Sequence, residues 1–544
     1  MYYRSSMPYL LGARKADAQR SKSPLFTFPY HFPSASHFKP SPYLFSVKMG
    51  FPIPPEKIEF RHYINGEFCE SSDKGSFELK SPYSHEKIAD ICEASVDDTN
   101  RAVAAAKAAF PAWAAQSPAE RGALLKQLAA RIRTIHNELA QLNAMDMGRP
   151  VSTYFDPISA AMLFENYAEA GYEAKGTTSL NTPGFVNMTF RQPIGPVAAI
   201  IPWNIPTISF ALKVAPALAA GCTIVLKSSE KAPLTPARLA HEVHAAGFPP
   251  GVINVLSGHG TPSGATLASH MDIRMVNFTG STSTGRKIQA AATSSNLKKV
   301  VLELGGKSPA IIFEDANIEK AAQETSDSVH TVMGQACTAN SRIYVQESIA
   351  DRFKTAFLKA FTAPIKGDPL DPKTQQGPQA DGLQYERIKS YIKAGTEGSG
   401  KLETGGKPAQ VDGKGYFIEP TLFSNVDENN KTQIEEVFGP FANLNTFKTE
   451  EEVMKKANNT EYGLYASVYT KDINRAMRVA KAFESGAVGI NCTSPSMGMD
   501  MPFGGWKSSG QGREGFGYSL DEHLEIKTVL IKIEDDAFAG WGVE

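Results

Sequence analysis

The chain has 544 residues, 42% of them hydrophobic and 21% charged, with a formal net charge of -1. It is too long for one compact core, its near-neutral charge excludes a nucleic-acid or acidic-membrane partner held by bulk charge, and no run of about 18 apolar residues suggests a membrane span. Five cysteines (Cys69, Cys92, Cys222, Cys337, Cys492), odd in number and without a CxxC pair, exclude a secreted disulfide scaffold and a cysteine metal site, and fit a reducing, cytoplasmic setting.

Residues 1–55 differ from the rest. Pro8, Pro24, Pro29, Pro33, Pro40 and Pro42 interrupt any helix, and Arg4, Arg14, Lys15, Arg20 and Lys22 face the single acid Asp17. This composition fits a disordered tail or a mitochondrial-type transit peptide, and Met49 is an alternative start. Order is expected from Tyr63 to Phe68, a hairpin turning on Asn65-Gly66. The alanine-rich stretch Thr99 to Phe110 predicts a helix. Ser117-Pro118-Ala119-Glu120 reads as a capping box with proline at the first helical position. Behind it Leu124, Leu128, Ile132, Ile135, Leu139 and Leu142 recur at helical spacing until Asp146–Pro150 stops the pattern. From Thr177 to Gln192 the chain is Thr/Asn/Gly-rich with alternating Phe185, Val186, Met188 and Phe190, an extended ribbon that pairs either with another subunit or within an internal hairpin.

The rhythm then changes. Val197–Ile201, Thr223–Leu226, Ile253–Leu256 and Met275–Phe278 predict buried strands, with helices over Pro206–Ala220, Leu234–Ala246 and Thr284–Ala292. Such alternation implies a parallel sheet whose ligands bind beyond the carboxyl ends of its strands. Phe278-Thr279-Gly280-Ser281-Thr282-Ser283-Thr284-Gly285 is a strand-to-helix turn of small polar residues, where helix N–H groups favour an anion such as a pyrophosphate. It is neither the GxGxxG fingerprint nor a P-loop. After Lys227 comes Ser228-Ser229-Glu230, and a carboxylate there suits ribose hydroxyls and repels a 2′-phosphate, favouring NAD over NADP. Val300–Leu302 runs into Glu303-Leu304-Gly305-Gly306-Lys307-Ser308-Pro309, which sets a glutamate between a strand and a Gly-Gly pair.

A second α/β pattern follows, with a strand at Ala310–Phe313 and a helix over Ile318–Val332 leading to Met333-Gly334-Gln335-Ala336-Cys337-Thr338-Ala339-Asn340-Ser341-Arg342 and the apolar run Ile343–Val345. A thiol after a Gly-Gln turn among small neighbours is open to a substrate, as a cysteine nucleophile must be. Glu436-Val437-Phe438-Gly439-Pro440 and the β-rich Tyr462–Tyr469 come later. A loop holding Pro495 and Met497, then Pro502-Phe503-Gly504-Gly505, precedes an alternating tail strand, Leu524–Lys532.

Taken together and in order, Pro202-Trp203-Asn204-Ile205-Pro206, Lys227–Glu230, Phe278–Gly285, Leu302–Pro309, Gly334–Cys337, Glu436–Pro440 and Pro502–Gly505 resemble the aldehyde dehydrogenase superfamily over residues 60–535. The resemblance implies an α/β fold with a Rossmann-type dinucleotide-binding domain (56–172 and 193–305), an α/β catalytic domain (306–520) and a β oligomerisation ribbon (173–192 and 521–535) in a homodimer or homotetramer. It implies that Cys337 is the nucleophile, that Asn204 and the Cys337 N–H stabilise the oxyanion, and that Glu303 activates the hydrolytic water, with Lys213 and Glu514 on a proton path. Ile201, Trp203, Lys227, Glu230, Gly280, Ser281, Gly285, Leu304, Glu436 and Phe438 would hold NAD, and no metal is implied. The chemistry fits. An aldehyde yields hydride poorly until a thiolate has added to its carbon, and the resulting thioester then needs an activated water.

This chain departs from the pattern at Ser228-Ser229, where a Pro-Ala type of turn is more usual, and at Ile205, Leu212 and Ser496, where many members carry aromatics. A wide pocket lined by Ile205, Leu212, Met333, Pro495 and Met497 would suit a bulky aromatic or polyketide-like aldehyde. No vicinal cysteine stands beside Cys337. Three rival readings compete: a CoA-acylating semialdehyde dehydrogenase, which Glu303 disfavours; a non-catalytic structural protein of the same fold; and a cysteine hydrolase, for which no histidine pairs convincingly with the thiol.

Overall fold

The computed structural model describes residues 53–54, 57–494, 498 and 500–533. The N-terminal tail up to residue 52, Pro495, Ser496, Met497 and the end of the chain from residue 534 lie outside the described residues. Two large sheets organise what is described. The first has eight strands in the order Glu67–Cys69, His62–Ile64, Ile253–Ser257, Thr223–Ser228, Pro196–Ile200, Met275–Thr279, Lys299–Glu303, Gly510–Gln511. Its five central strands are parallel and almost wholly buried, which is why they read as continuous apolar runs. Chain order reverses at Pro196–Ile200, so a crevice opens at the carboxyl ends beside that strand. The hairpin at the sheet edge turns on Asn65 and Gly66, both at positive φ, as its Asn-Gly sequence requires.

The helices obey their local signals. Pro206–Ala220 starts with proline at its first turn and ends on Gly221 in the left-handed region. The Ser117–Glu120 capping box forms as expected at the head of Pro118–Thr134. The periodic stretch behind it is two helices, however, because Ile135 leaves helical geometry and His136–Asp146 starts afresh. The apolar spacing survives the break because Leu128, Ile132, Leu139 and Leu142 all enter the same core.

The second sheet has seven strands in the order Lys401–Thr404, Thr421–Ser424, Phe441–Phe447, Arg342–Gln346, Pro309–Ile312, Tyr465–Tyr469, Ala487–Ile490, parallel except for the first. The chain passes from the carboxyl end of Lys299–Glu303 to the amino end of Pro309–Ile312 in five residues, 304–308. The carboxyl edge of one parallel sheet is thereby brought to the amino edge of the other. A third sheet of three strands joins Leu524–Lys532 to Phe185–Pro193 and Thr178–Ser179. The ribbon thus pairs inside the chain, with Ile526, Leu530 and Ile531 left exposed on the tail strand.

Candidate active site

On the first sheet, every strand end beside the crevice carries expected residues. Ile201, buried, and Trp203 and Asn204 follow Pro196–Ile200. Lys227 lies at the end of its strand, its ammonium donating to the Ser228 carbonyl at 2.8 Å. Burial lowers the proton affinity of this lysine to a pKa of about 8. Glu230 is half-buried and accepts from the Ser229 hydroxyl at 3.1 Å. Gly280 and exposed Ser281 follow Met275–Thr279, and Ser281 caps the helix Thr282–Ser294 by accepting from the Thr284 N–H. Its neighbouring first-turn N–H groups form a ready anion site. Gly285 lets this helix close on the strand, for a Cβ there would stand 2.7 Å from a Leu304 methyl. An anion cradle after Met275–Thr279, and an amine and a carboxylate after Thr223–Ser228 on the other side of Pro196–Ile200, fit a dinucleotide.

On the second sheet, residues that precede Arg342–Gln346 and Phe441–Phe447 come together. Gly306, Gly334, Ala336, Ala339, Ser341, Glu436, Val437, Phe438 and Gly439 line one small cavity. The approach to Cys337 differs from the expected helix. The helix ends at His330, and Val332, Met333 and Gly334 then take φ of 51°, 56° and 79°. Left-handed geometry at a β-branched residue is strained, at a cost on the order of 1–3 kcal/mol per residue. It is held because both side chains are buried with Met147, Ala232 and Ala380, while Gly334 lies so close to Gly439 that a Cβ would overlap its carbonyl carbon at 2.0 Å.

Cys337 is half-buried and reduced. Burial raises the proton affinity of its thiol, and the carboxyls of Glu303 and Glu436 raise it further. Glu303 is buried, and burial followed by the Glu514 charge lifts it from 4.5 to about 8. Its Oε1 has no hydrogen-bond partner among the described residues. A buried carboxyl with one free oxygen beside a thiol can take up a proton. Asn204 donates from Nδ2 to the Gln335 carbonyl at 2.8 Å, which orients the amide two residues from the thiol and leaves its second N–H to donate elsewhere. Beneath Glu303, Lys213 and Glu514 form a buried ion pair. Glu436 accepts from the Gly306 N–H at 2.9 Å, and burial lifts it to about 7. Gly305 and Gly306 are required there, because a Cβ would stand 2.4 Å from the Glu436 carboxylate or 2.3 Å from the Cys337 carbonyl. Phe438, itself at positive φ, meets the Trp203 ring edge to face at 5.4 Å.

The pocket residues separate. Ile205 and Leu212 are half-buried, Met333 is buried behind the nucleophile turn, and Pro495 and Met497 lie outside the described residues.

Sequence reasoning missed three groups. Lys307 is buried, its ammonium is unpartnered among the described residues, and burial together with Arg342 lowers it to about 7. Gln335 holds the nucleophile turn, its Oε1 accepting from the Ala380 N–H at 3.0 Å. Ser509 ties the return crossing to the first: its carbonyl accepts from Leu304 N–H at 2.9 Å, its hydroxyl donates to the Gly305 carbonyl at 2.7 Å and accepts from Gly463 N–H at 2.9 Å. A lysine after Gly-Gly and a glutamine in the Gly-Gln turn were visible signals; the serine gave none.

A thiol beside a buried carboxyl, with an amide donor held on the same turn, suits covalent chemistry at sulfur. The profile of the Aldehyde dehydrogenase family matches residues 68–529. Retinal dehydrogenase 2 of Homo sapiens is 41% identical over 490 residues, 89% of this chain and 94% of that protein. An aldehyde dehydrogenase of Davidiella tassiana is 43% identical, covering 88% of this chain and 96% of its own. Among solved structures, the P. syringae indole-3-acetaldehyde dehydrogenase AldA, a mutant in complex with NAD+ and IAA, superposes with a TM-score of 0.86 at 37% identity, covering 88% of this chain and 97% of its own. PnpE in complex with nicotinamide adenine dinucleotide superposes with a TM-score of 0.86 at 40% identity, covering 88% and 98%. The chain belongs to the aldehyde dehydrogenase family.

Proposed function

We propose that the protein oxidises an aldehyde to the carboxylic acid with NAD+, using Cys337 as nucleophile. The observation that carries this reading is the Glu303 carboxyl beside the Cys337 thiol, with the Asn204 amide held on the Gln335 carbonyl of the same turn. Lys227 and Glu230 hold the adenosine ribose, Ser281 and the helix start behind it the pyrophosphate, and Glu436 the second ribose. Ile201, Trp203, Gly280, Gly285, Leu304 and Phe438 shape the channel. The bound nicotinamide supplies an acceptor for the hydride that leaves the aldehyde carbon.

The thiol proton is lost to solvent, and sulfur adds to the aldehyde carbon. The C=O bond opens to an alkoxide that the second Asn204 N–H and the Cys337 N–H stabilise where the charge develops. Loss of hydride from that carbon restores the carbonyl as a thioester on Cys337. Glu303 then takes a proton from water as the water oxygen attacks, the C–S bond breaks, and the acid leaves. The Lys213–Glu514 pair beneath Glu303 offers that proton an onward path. The half-buried aliphatic Ile205 and Leu212 favour a bulky, apolar aldehyde. Exposed Ile526, Leu530 and Ile531 on the tail strand support a homodimer or homotetramer, which light scattering of the purified protein would read.

The test is NADH absorbance on a panel of aliphatic and aromatic aldehydes with NAD+ and with NADP+. Turnover with NAD+ exceeding that with NADP+ is expected. Acid formation without either nucleotide would favour the hydrolase instead, and a strict requirement for CoA the acylating enzyme.

A further inference from the structure

Two side chains outside the assigned machinery join the two halves across the nucleotide crevice. Lys231 follows Glu230 on the loop after Thr223–Ser228, and its ammonium lies 2.7 Å from the Asp381 carboxylate. Both are mostly shielded, with side chains 18% and 28% exposed, so their attraction is screened less than that of a surface pair. The same ammonium sits 5.2 Å from the centre of the Trp203 ring, within cation–π range. Asp381 caps the helix Gly382–Thr396, accepting from the Gln384 N–H at 2.7 Å, and the Gln384 amide donates to the Phe438 carbonyl at 2.6 Å. Phe438 in turn packs on Trp203. The contacts close a ring: Lys231, Asp381, Gln384, Phe438, Trp203 and back to Lys231.

The ring reaches the nucleophile as well. Ala380, next to Asp381, donates its N–H to Gln335, whose carbonyl holds Asn204. Ala232, next to Lys231, is packed with Val332, Met333 and Ala380, and Trp203 and Ile205 lie against that cluster. One end of the bridge thus rests on the strand-end loops of the first sheet and the other on the helix that secures Phe438.

We propose that Lys231 and Asp381 are a positioning pair that closes the crevice over the nicotinamide end of the cofactor by holding Phe438 and the head of helix Gly382–Thr396 against Trp203. This rests on the nicotinamide cofactor reading above. Neither residue touches the reacting atoms. Their action is on how tightly the dinucleotide is kept, through the wall they hold in place.

The experiment is a double-mutant cycle on the full-length protein, read by NADH fluorescence titration in the absence of aldehyde. Lys231→Met and Asp381→Asn are each expected to weaken NADH binding about five- to tenfold, and the double variant no more than either single one. Asn retains the helix cap, and Lys231→Arg, which keeps the charge, is expected to hold NADH within about twofold of the unmodified protein. In steady state, KM for NAD+ should rise more than kcat changes, a split that simple loss of folded protein would not produce. Additive losses in the double variant, or unchanged binding in both single variants while the unmodified protein binds NADH, would overturn the bridge alone. No NADH binding by the unmodified protein would overturn the cofactor reading and the bridge with it.

Discussion

The carboxyl edge of the first sheet and the amino edge of the second supply one site by different means. On the first, each group hangs on the turn that ends a regular buried strand: Asn204, Lys227, Glu230, Ser281 and Glu303 all lie within four residues of a strand end. On the second, groups precede their strands and stand on irregular backbone: Val332 and Met333 at positive φ before Cys337, and Phe438 at positive φ before Phe441–Phe447. A regular edge can bind and orient with little strain, whereas presenting a sulfur and an aromatic ring at set positions here requires backbone geometry that only surrounding packing sustains.

The difference can be broken experimentally, starting where the effect is largest. Cys337→Ala on the irregular edge should lower NADH production at least about 10³-fold while the protein still folds, measured by absorbance and circular dichroism. Undiminished production would discard the nucleophile. On the regular edge, Glu303→Gln should spare the first turnover and slow later ones, by about 10²–10⁴-fold if proton transfer limits them. Stopped-flow then shows a burst of NADH near one per site; equal slowing of burst and steady state would remove Glu303 from the water step. Asn204→Ala should reduce kcat by about 10²–10³-fold, and a change confined to KM would deny it the oxyanion.

Two smaller effects sharpen the contrast through stability. Gly306→Ala drives a Cβ to 2.3 Å from the Cys337 carbonyl, and should cost about 1–3 kcal/mol, read as a lower midpoint in urea. An unchanged midpoint would mean that the two edges can part freely. Glu303 in the folded protein titrates near 8, above its usual 4.5. A raised carboxyl favours folding most below the unfolded value, and that contribution is lost as pH climbs through about 8. The Tm of Glu303→Gln, compared with the unmodified protein, should therefore improve from pH 5 to about pH 8 and level off above it. A difference that stays flat would mean Glu303 is not held protonated.

The two edges were also unequally legible. The strands and helices from Pro196 to Glu303 lie within a few residues of where alternation places them, because fully buried parallel strands write continuous apolar runs and their helices carry proline and glycine at the proper ends. The expected helix Ile318–Val332 stops two residues early, at His330, although nothing about Val332 or Met333 forbids a helix; tertiary packing overrides their preference. The split at Ile135 was hidden for the opposite reason, a core that keeps one periodicity across two helices. The site residues were visible as ordered motifs. What bridges them was not: Gln335, Asp381 and Ser509 act through backbone groups distant in sequence, and such contacts leave no local pattern.

Ser509 joins the two crossings between the sheets. The chain travels between the two edges at residues 304–308 and returns before Gly510–Gln511, and this one serine hydrogen-bonds both passages together. The crossing that leaves Glu303 is thus tied to the returning chain by the hydroxyl and carbonyl of a single serine. A tie made of one serine and main-chain groups does not depend on the side chains around the mouth, so the architecture keeps its frame apart from its choice of fuel.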